Sequence, residues 1–314
     1  MTKVIHNPFK SAPPKVLVIL GTTSAGKTGL GVKLAAELNG EIIGADSRQV
    51  YKGMDIGTGK DLPEYKAGRK KIPYHLIDVA SPKVKFDLAR YQKMANEALK
   101  DILGRGQLPI VVGGSGLYLQ ALVDNYQLGG FKSDGKKRAA WEKLSALELF
   151  KLVAQKKPDF AARINNSDKN NPRRLVRYLE IIEQGGLEER KRGVKQYDFL
   201  LIGLKVSDKV LRERIYQRLI DRLEKEGLAD EIKKLHQAGV SWERLDSFGL
   251  EYRFVSRYLG GQLEYEEMVE KLNRAIYGFA KRQKTWFRRW EKQGAVIKWV
   301  KDKEEASKII KKWL

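Results

Sequence analysis

The stretch Gly21, Thr22, Thr23, Ser24, Ala25, Gly26, Lys27, Thr28 follows directly on the apolar run at residues 16–20. G-x-x-x-x-G-K-T behind a strand-like run is the spacing of a loop that binds a polyphosphate. Its glycines let backbone N–H groups converge on phosphate oxygens, and the helix that follows adds the positive end of its dipole. Lys27 supplies a point charge, and the Thr28 hydroxyl is the usual Mg2+ ligand of such a loop. The loop alone says only that a polyphosphate is held. Nucleotide hydrolysis usually adds an Asp at the end of a second apolar strand, whereas "LPIVVGGSG" (residues 108–116) ends in glycines. The well-placed carboxylate is Asp46, which closes "EIIGAD". It reads as a general base or acceptor facing the loop's ligand, with a structural cap of the next turn as the plain alternative.

A second set of charges lies in "DKVLRERIYQRLIDRLEKEG". Leu211, Ile215 and Leu219 form one column and Arg214, Arg218 and Arg222 the adjacent one, at the i, i+4 spacing that puts residues on one helical face. Such a column is either a solvated face or a source of cations for the phosphate. Near the C-terminus, "IYGFAKRQKTWFRRW" interleaves Tyr277, Phe279 and Trp286 with lysines and arginines. Part of that stripe is expected in the core, and its cations suit an RNA backbone. His6, His75 and His236 show no metal-ligand spacing and read as structural.

These residues need a scaffold. "KVLVIL" predicts a buried parallel strand, and Leu30, Leu34 and Leu38 a helix closed by Asn39-Gly40. "EIIGAD" predicts a second strand. Asp87 is an N-cap for a helix carrying Tyr91, Met94, Ala98 and Ile102 and stopping at Gly104, after which "LPIVVGG" is another strand. The alternation predicts an α/β fold, a P-loop core whose parallel sheet is flanked by helices. Ligands of such sheets collect at the carboxyl ends of the strands, where the loop, Asp46 and Gly113-Gly114 all fall. From Leu128 strand-like runs cease, and residues 128–197 hold seventeen Lys/Arg against nine Asp/Glu. Leu175, Leu179 and Ile182 suggest a helical insertion there. "DFLLIGLKV" then returns a strand, a helix follows from about Ser207 to Glu226, and two helical stretches finish the chain. The expected domains are residues 1–122 with 198–314, a catalytic core, and 123–197, a helical insertion.

The chain of 314 residues has 61 Lys plus Arg against 39 Asp plus Glu, a formal charge of +22. That excess favours a polyanionic partner, since each neutralised phosphate releases condensed counterions. The absence of cysteine excludes disulfides, thiolate metal sites and Cys nucleophiles, and fits a reducing cytoplasm. No run approaches a membrane span, and the first residues lack the apolar region of a secretory signal.

"GTTSAGKT", "ADSRQVYKGMDIGTGK", "HLIDVASP", "PIVVGGSGLYLQAL" and "AKRQKTWFRRW" stand in the order and approximate spacing of the tRNA dimethylallyltransferases, also called tRNA isopentenyltransferases. The chain resembles that bacterial-type family from residue 16 to about 290. The resemblance implies transfer of a dimethylallyl group from dimethylallyl diphosphate to N6 of the adenosine 3′ of the anticodon, with Mg2+ as cofactor. It implies that residues 21–28 hold the donor diphosphate, that Thr23 and Arg218 assist its departure, and that Asp46 is the general base. It further implies a tRNA surface of Asp46, Ser47, Arg48, Gln49, Ser115, Arg173, Arg174, Leu175, Val176, Arg177, Tyr252 and Arg253. A monomeric cytoplasmic enzyme is expected. This chain departs from the family in having Thr22 where Pro is usual and Ser24-Ala25 for Ala-Ser, which leaves either Thr23 or Ser24 as the assisting hydroxyl. Glu251 stands where glycine is common. The alternatives are an adenylate isopentenyltransferase acting on a free nucleotide, a P-loop kinase, and a non-enzymatic RNA-binding protein.

Overall fold

The computed structural model describes residues 12–68, 70–128, 134–185 and 193–314. Its elements run β1 (Lys15–Leu20), α1 (Lys27–Glu37), β2 (Gly40–Gly44), a two-residue ribbon of β3 (Lys66–Ala67) and β4 (Lys70–Lys71), β5 (Tyr74–His75), α2 (Leu88–Gly104), β6 (Leu108–Gly113) and α3 (Gly116–Val123). Five helices follow: α4 (Gly135–Trp141), α5 (Ala146–Lys156), α6 (Pro158–Arg163), α7 (Asn166–Lys169) and α8 (Pro172–Glu183). The chain continues through β7 (Asp198–Leu204), α9 (Asp208–Glu224), α10 (Leu228–Gln237), α11 (Trp242–Phe248), α12 (Leu250–Leu259), α13 (Tyr265–Lys292), β8 (Ile297–Val300) and α14 (Lys303–Trp313). It divides into two compact units, Met1–Asn125 with Val194–Leu314, and Tyr126–Gly193.

In the first unit six parallel strands form one sheet in the order β5-β2-β6-β1-β7-β8. β1 lies inside it, and its alternate residues enter two cores. Val16, Val18 and Leu20 join the core on one face, and Leu17 and Ile19 the core on the other. A strand covered on both faces must be apolar at every position, which is why "VLVIL" shows no alternation. Each such side chain contributes about 1.5–3 kcal/mol through burial. Asp87 caps α2 by accepting the Arg90 amide at 2.8 Å, and Ser207 caps α9. Helix α2 ends at Gly104, the expected stop, with Arg105 as its cap.

The C-terminal third differs from the two closing helices expected. Residues 228–313 hold five helices and a sixth sheet strand. Left-handed Gly227 (φ 83) separates α9 from α10, and Ser241 starts α11 by capping the Arg244 amide. β8 has only four residues in the pattern buried, exposed, exposed, buried, too short for a period to register. Along α13 the buried stripe is Met268, Leu272, Ile276, Ala280, Gln283, Phe287 and Trp290. Tyr277, Phe279 and Trp286 flank it half-buried, each with an arginine over its ring: Arg212, Arg282 and Arg289 respectively. Among the described residues no helix is long and apolar enough to cross a membrane.

The second unit is a small helical body. Leu149 and Val153 of α5 meet Leu175, Val176 and Leu179 of α8 in its core. Its turns are locally specified: Ser145 and Glu148 form a reciprocal capping box, and Asn171 caps α8 behind Pro172.

Candidate active site

The phosphate loop spans the turn from β1 to α1. Gly26 takes a left-handed conformation (φ 90) at the N-cap, and no side chain caps the helix there. The first amides of α1 are therefore oriented as an anion site requires. Lys27 Nζ donates to the Thr22 carbonyl at 2.6 Å. Burial, the largest influence, lowers the Lys27 pKa to about 8; the Asp46 carboxylate opposes that shift and Arg218 adds to it. The loop lysine, the strand-end carboxylate and the α9 arginine thus share one electrostatic site. Thr28, in the first turn of α1, is half-buried. The amide of Thr23 donates to Gln283 Oε1 at 2.8 Å, while Gln283 Nε2 donates to the Gly114 carbonyl at 2.9 Å. A single buried glutamine of α13 therefore joins the phosphate loop to the turn after β6.

Asp46 follows β2, and its Oδ1 accepts the Arg48 amide at 2.9 Å. Ser115 Oγ accepts the Ser47 amide at 3.0 Å, so the turn after β6 also holds the segment beside Asp46. Gln49 Nε2 donates to the carbonyls of Gly59 (2.8 Å) and Thr58 (3.2 Å). The next loop, residues 51–61, is fixed by a buried lysine and a half-buried glutamate. Lys60, with no exposed surface, donates to the Tyr51 carbonyl at 2.7 Å and to Asp55 at 2.6 Å, and also pairs with Asp78. Glu231 of α10 accepts the amides of Asp55, Ile56 and Gly57 at 2.8, 2.6 and 3.1 Å, and the Tyr252 hydroxyl at 2.7 Å.

Helix α9 presents Arg218 and Arg222 of its basic column to this loop. Gly59 (φ +63) lies against two guanidinium groups, and a methyl there would collide with Nη2 of both Arg218 and Arg222. Arg218 pairs with Asp61 and Arg222 with Glu251 at 3.3 Å. Burial alone would raise the Glu251 carboxyl, but Arg48 (2.6 Å) and Arg222 outweigh it and hold the group below the usual carboxylate range. Arg214 stands elsewhere, lining a cleft of about 450 Å³ with Gly26, Gly29, Lys33, Lys205 and Lys303.

In the second unit, Arg173, Arg174 and Arg177 are exposed along α8. Arg174 pairs with Asp168, and Arg177 with Glu180 at 3.0 Å.

The sequence profile described as "IPP transferase" matches residues 49–290. The chain belongs to the IPP transferase family. It is 46% identical over 288 residues to tRNA dimethylallyltransferase 2 of Citrifermentans bemidjiense, covering 91% of this chain and 90% of that one. It is 45% identical over 301 residues to tRNA dimethylallyltransferase 1 of Syntrophus aciditrophicus, covering 93% and 96%. Among solved structures it is similar to the full-length tRNA isopentenylpyrophosphate transferase of Bacillus halodurans, with TM-score 0.64, 36% identity and coverage of 91% and 89%. It is also similar to a eukaryotic dimethylallyltransferase acting on tRNA, with TM-score 0.71, 27% identity and coverage of 92% and 74%.

For an IPP transferase, four of the residues expected to face RNA lie differently. Leu175 and Val176 are buried in the core of the second unit, so their side chains hold α8 and its exposed arginines carry the surface. Tyr252 has no exposed surface and donates to Glu231; it supports the 55–57 turn from beneath. The Arg48 guanidinium turns inward to Glu251, with 15% of its side chain exposed, and acts on the segment 46–49 from behind. Arg253 remains partly exposed, held by Asp246 at 3.2 Å. Asp46 shares its electrostatic site with Lys27 and Arg218, Ser115 holds Ser47, and Gln49 donates to Gly59, the glycine that lies against Arg218. His75 lies 2.7 Å from Glu41, His236 Nδ1 lies 3.0 Å from the Val240 carbonyl, and His6 lies outside the described residues. The motifs contained Lys60 and Gln283 without marking them, and Glu231 lay in no motif. A glutamine on an otherwise apolar helical stripe was the one available signal, since a polar residue in a core position implies a specific partner.

Proposed function

We propose that this chain transfers a dimethylallyl group from dimethylallyl diphosphate to N6 of the adenosine 3′ of the anticodon in tRNA. The observation that carries this reading is that the phosphate loop and the Asp46 carboxylate, both at strand ends of one parallel sheet, share an electrostatic site with Arg218 of α9. A diphosphate in the loop accepts from the α1 amides and Lys27 and pairs with Arg218. The allylic C–O bond breaks with its electron pair going to the diphosphate, and these fixed donors stabilise the developing charge without reorganisation. The exocyclic nitrogen forms the new bond to the allylic carbon and gives up a proton. Asp46 takes it through Oδ2, its Oδ1 being held by the Arg48 amide. The Thr23 hydroxyl, on a residue fixed through its amide by Gln283, assists the leaving oxygen.

Magnesium fits the same site. Thr28 offers one hydroxyl, and no cluster of three acidic or histidine ligands occurs among the described residues. That donor set suits a Mg2+ carried mainly by phosphate oxygens and water, and when bound the ion neutralises charge on the leaving diphosphate.

A base inside a folded anticodon loop must be extruded before its N6 can react. In this reading the residues 46–49 receive it, and Arg173, Arg174, Arg177 and Arg253 engage the RNA backbone. A monomer in the cytoplasm is the matching state. The test is incubation with dimethylallyl diphosphate carrying a radiolabelled prenyl group, with bulk tRNA or AMP as acceptor. Label is expected in tRNA and not in AMP. Label in AMP alone would assign the chain to free nucleotides, and label in neither would overturn the reading.

A further inference from the structure

Arg218 and Arg222 stand one helical turn apart with their guanidinium groups against the same glycine, yet their counter-ions differ in kind. Arg222 and Glu251 are sealed, with 8% and 4% of their side chains exposed. Arg218 and Asp61 are open, with 31% and 33% exposed. A buried pair is costly to break because each partner left alone is an uncompensated charge in a medium of low dielectric. A half-exposed pair contributes little and can be exchanged for a stronger anion. Glu251 therefore keeps Arg222 fixed, and Asp61 leaves Arg218 exchangeable.

We propose that Asp61 is a place-holding counter-ion, whose carboxylate occupies the face of Arg218 that the donor's diphosphate takes and yields it when the donor binds. Asp61 also sits where its placement is firm. It follows Lys60, whose ammonium is locked by three acceptors. Its own backbone is left-handed (φ 47), a conformation that Asp and Asn tolerate better than other non-glycine residues. The carboxylate keeps the guanidinium oriented toward the loop and disfavours the retention of inorganic pyrophosphate after transfer. Asp61 is thus a positioning residue that sets the balance between donor capture and product release. The inference rests on the reading of the loop as a diphosphate site.

The test is titration of wild type and Asp61→Asn with inorganic pyrophosphate and Mg2+, and inhibition of transfer by added pyrophosphate. Asparagine keeps the size and the left-handed backbone while removing the charge. Pyrophosphate should bind about two- to fivefold more tightly to Asp61→Asn, the range expected for removing one half-exposed competitor. Product inhibition should strengthen in parallel, and tRNA affinity should not move. Asp61→Gly should shift pyrophosphate binding the same way. In an Arg218→Ala background the Asp61→Asn gain should vanish, which a purely structural role for Asp61 would not predict. Unchanged or weaker pyrophosphate binding in Asp61→Asn would overturn the inference, as would a gain that persists without Arg218. If wild type binds pyrophosphate and Lys27→Ala does not, the diphosphate site stands whatever Asp61 does; if wild type fails to bind it, that reading falls first.

Discussion

The strand-end site of the first unit and the arginine helix of the second are both basic, but they are built on opposite principles. Around Asp46 the backbone is tied at many points to named side chains. Gln283 holds Thr23 and Gly114, Ser115 holds Ser47, Gln49 holds Gly59, and Glu231 holds three consecutive amides. On α8 the arginines are exposed, and a compact apolar core beneath them is what keeps the helix in place. Chemistry that moves a proton and breaks a C–O bond needs atoms fixed within a fraction of an ångström. Attraction of a polyanion needs only charge at a surface. Substitutions should therefore act steeply in the first region and gradually in the second.

The largest effect is expected at Asp46. Asp46→Asn removes the proton acceptor while keeping the shape, and single-turnover transfer should fall about 10²–10⁴-fold, with tRNA affinity nearly unchanged. A rapid-quench measurement at saturating donor and tRNA checks it. Lys27 comes next. Its ammonium binds the diphosphate only when protonated, and burial has brought its pKa down to about 8 from an ordinary 10.5. Donor affinity should hold below pH 8 and then fall about tenfold per pH unit above it. Lys27→Met should show weak binding at every pH without that break. A wild-type profile flat to pH 10 would remove Lys27 from the site.

A smaller effect is expected at Gln283, which touches no substrate in this account. Gln283→Leu leaves the Thr23 amide and the Gly114 carbonyl unpaired, each at about 1–3 kcal/mol. The displaced loop should lower the transfer rate about 10- to 100-fold. Gln283→Glu retains the acceptor for Thr23 but loses the donor to Gly114, and its rate should lie between Leu and wild type. The smallest effect on chemistry should come from Arg173, Arg174 and Arg177 replaced together by alanine. The saturated transfer rate should stay as in wild type. The tRNA affinity should fall for all substrates alike, and the salt slope should flatten by about 0.7–0.9 per lost phosphate contact. Affinity measured from low to moderate salt decides it.

Much of this architecture was legible because the sequence states it locally. β1 and its loop, the caps Asp87 and Ser207, and the α9 arginine column each lie within one continuous stretch. What was not legible depends on partners far apart in the chain. Gln283 meets Thr23 across 260 residues and Glu231 meets Ile56 across 175, and no periodicity or composition encodes such pairs. The same distance effect misled the reading of Arg48 and Tyr252. Both stand in motifs that resemble RNA-contacting segments, yet each finds a carboxylate that only the folded chain supplies, the buried Glu251 for Arg48 and the half-buried Glu231 for Tyr252. Leu175 and Val176 sit between exposed arginines in sequence, but the helical period turns them into the core. β8 went unseen because four residues with two exposed positions carry no usable pattern.

The most direct test of the division is a single experiment with three proteins: wild type, Asp46→Asn, and the triple arginine variant. Each is mixed with donor and with tRNA at concentrations that saturate binding, and the first turnover is followed by label transfer. The account predicts near-wild-type transfer in the triple variant and a loss of at least about 10²-fold in Asp46→Asn. A triple variant as slow as Asp46→Asn at saturation, or an Asp46→Asn protein as fast as wild type, would contradict it.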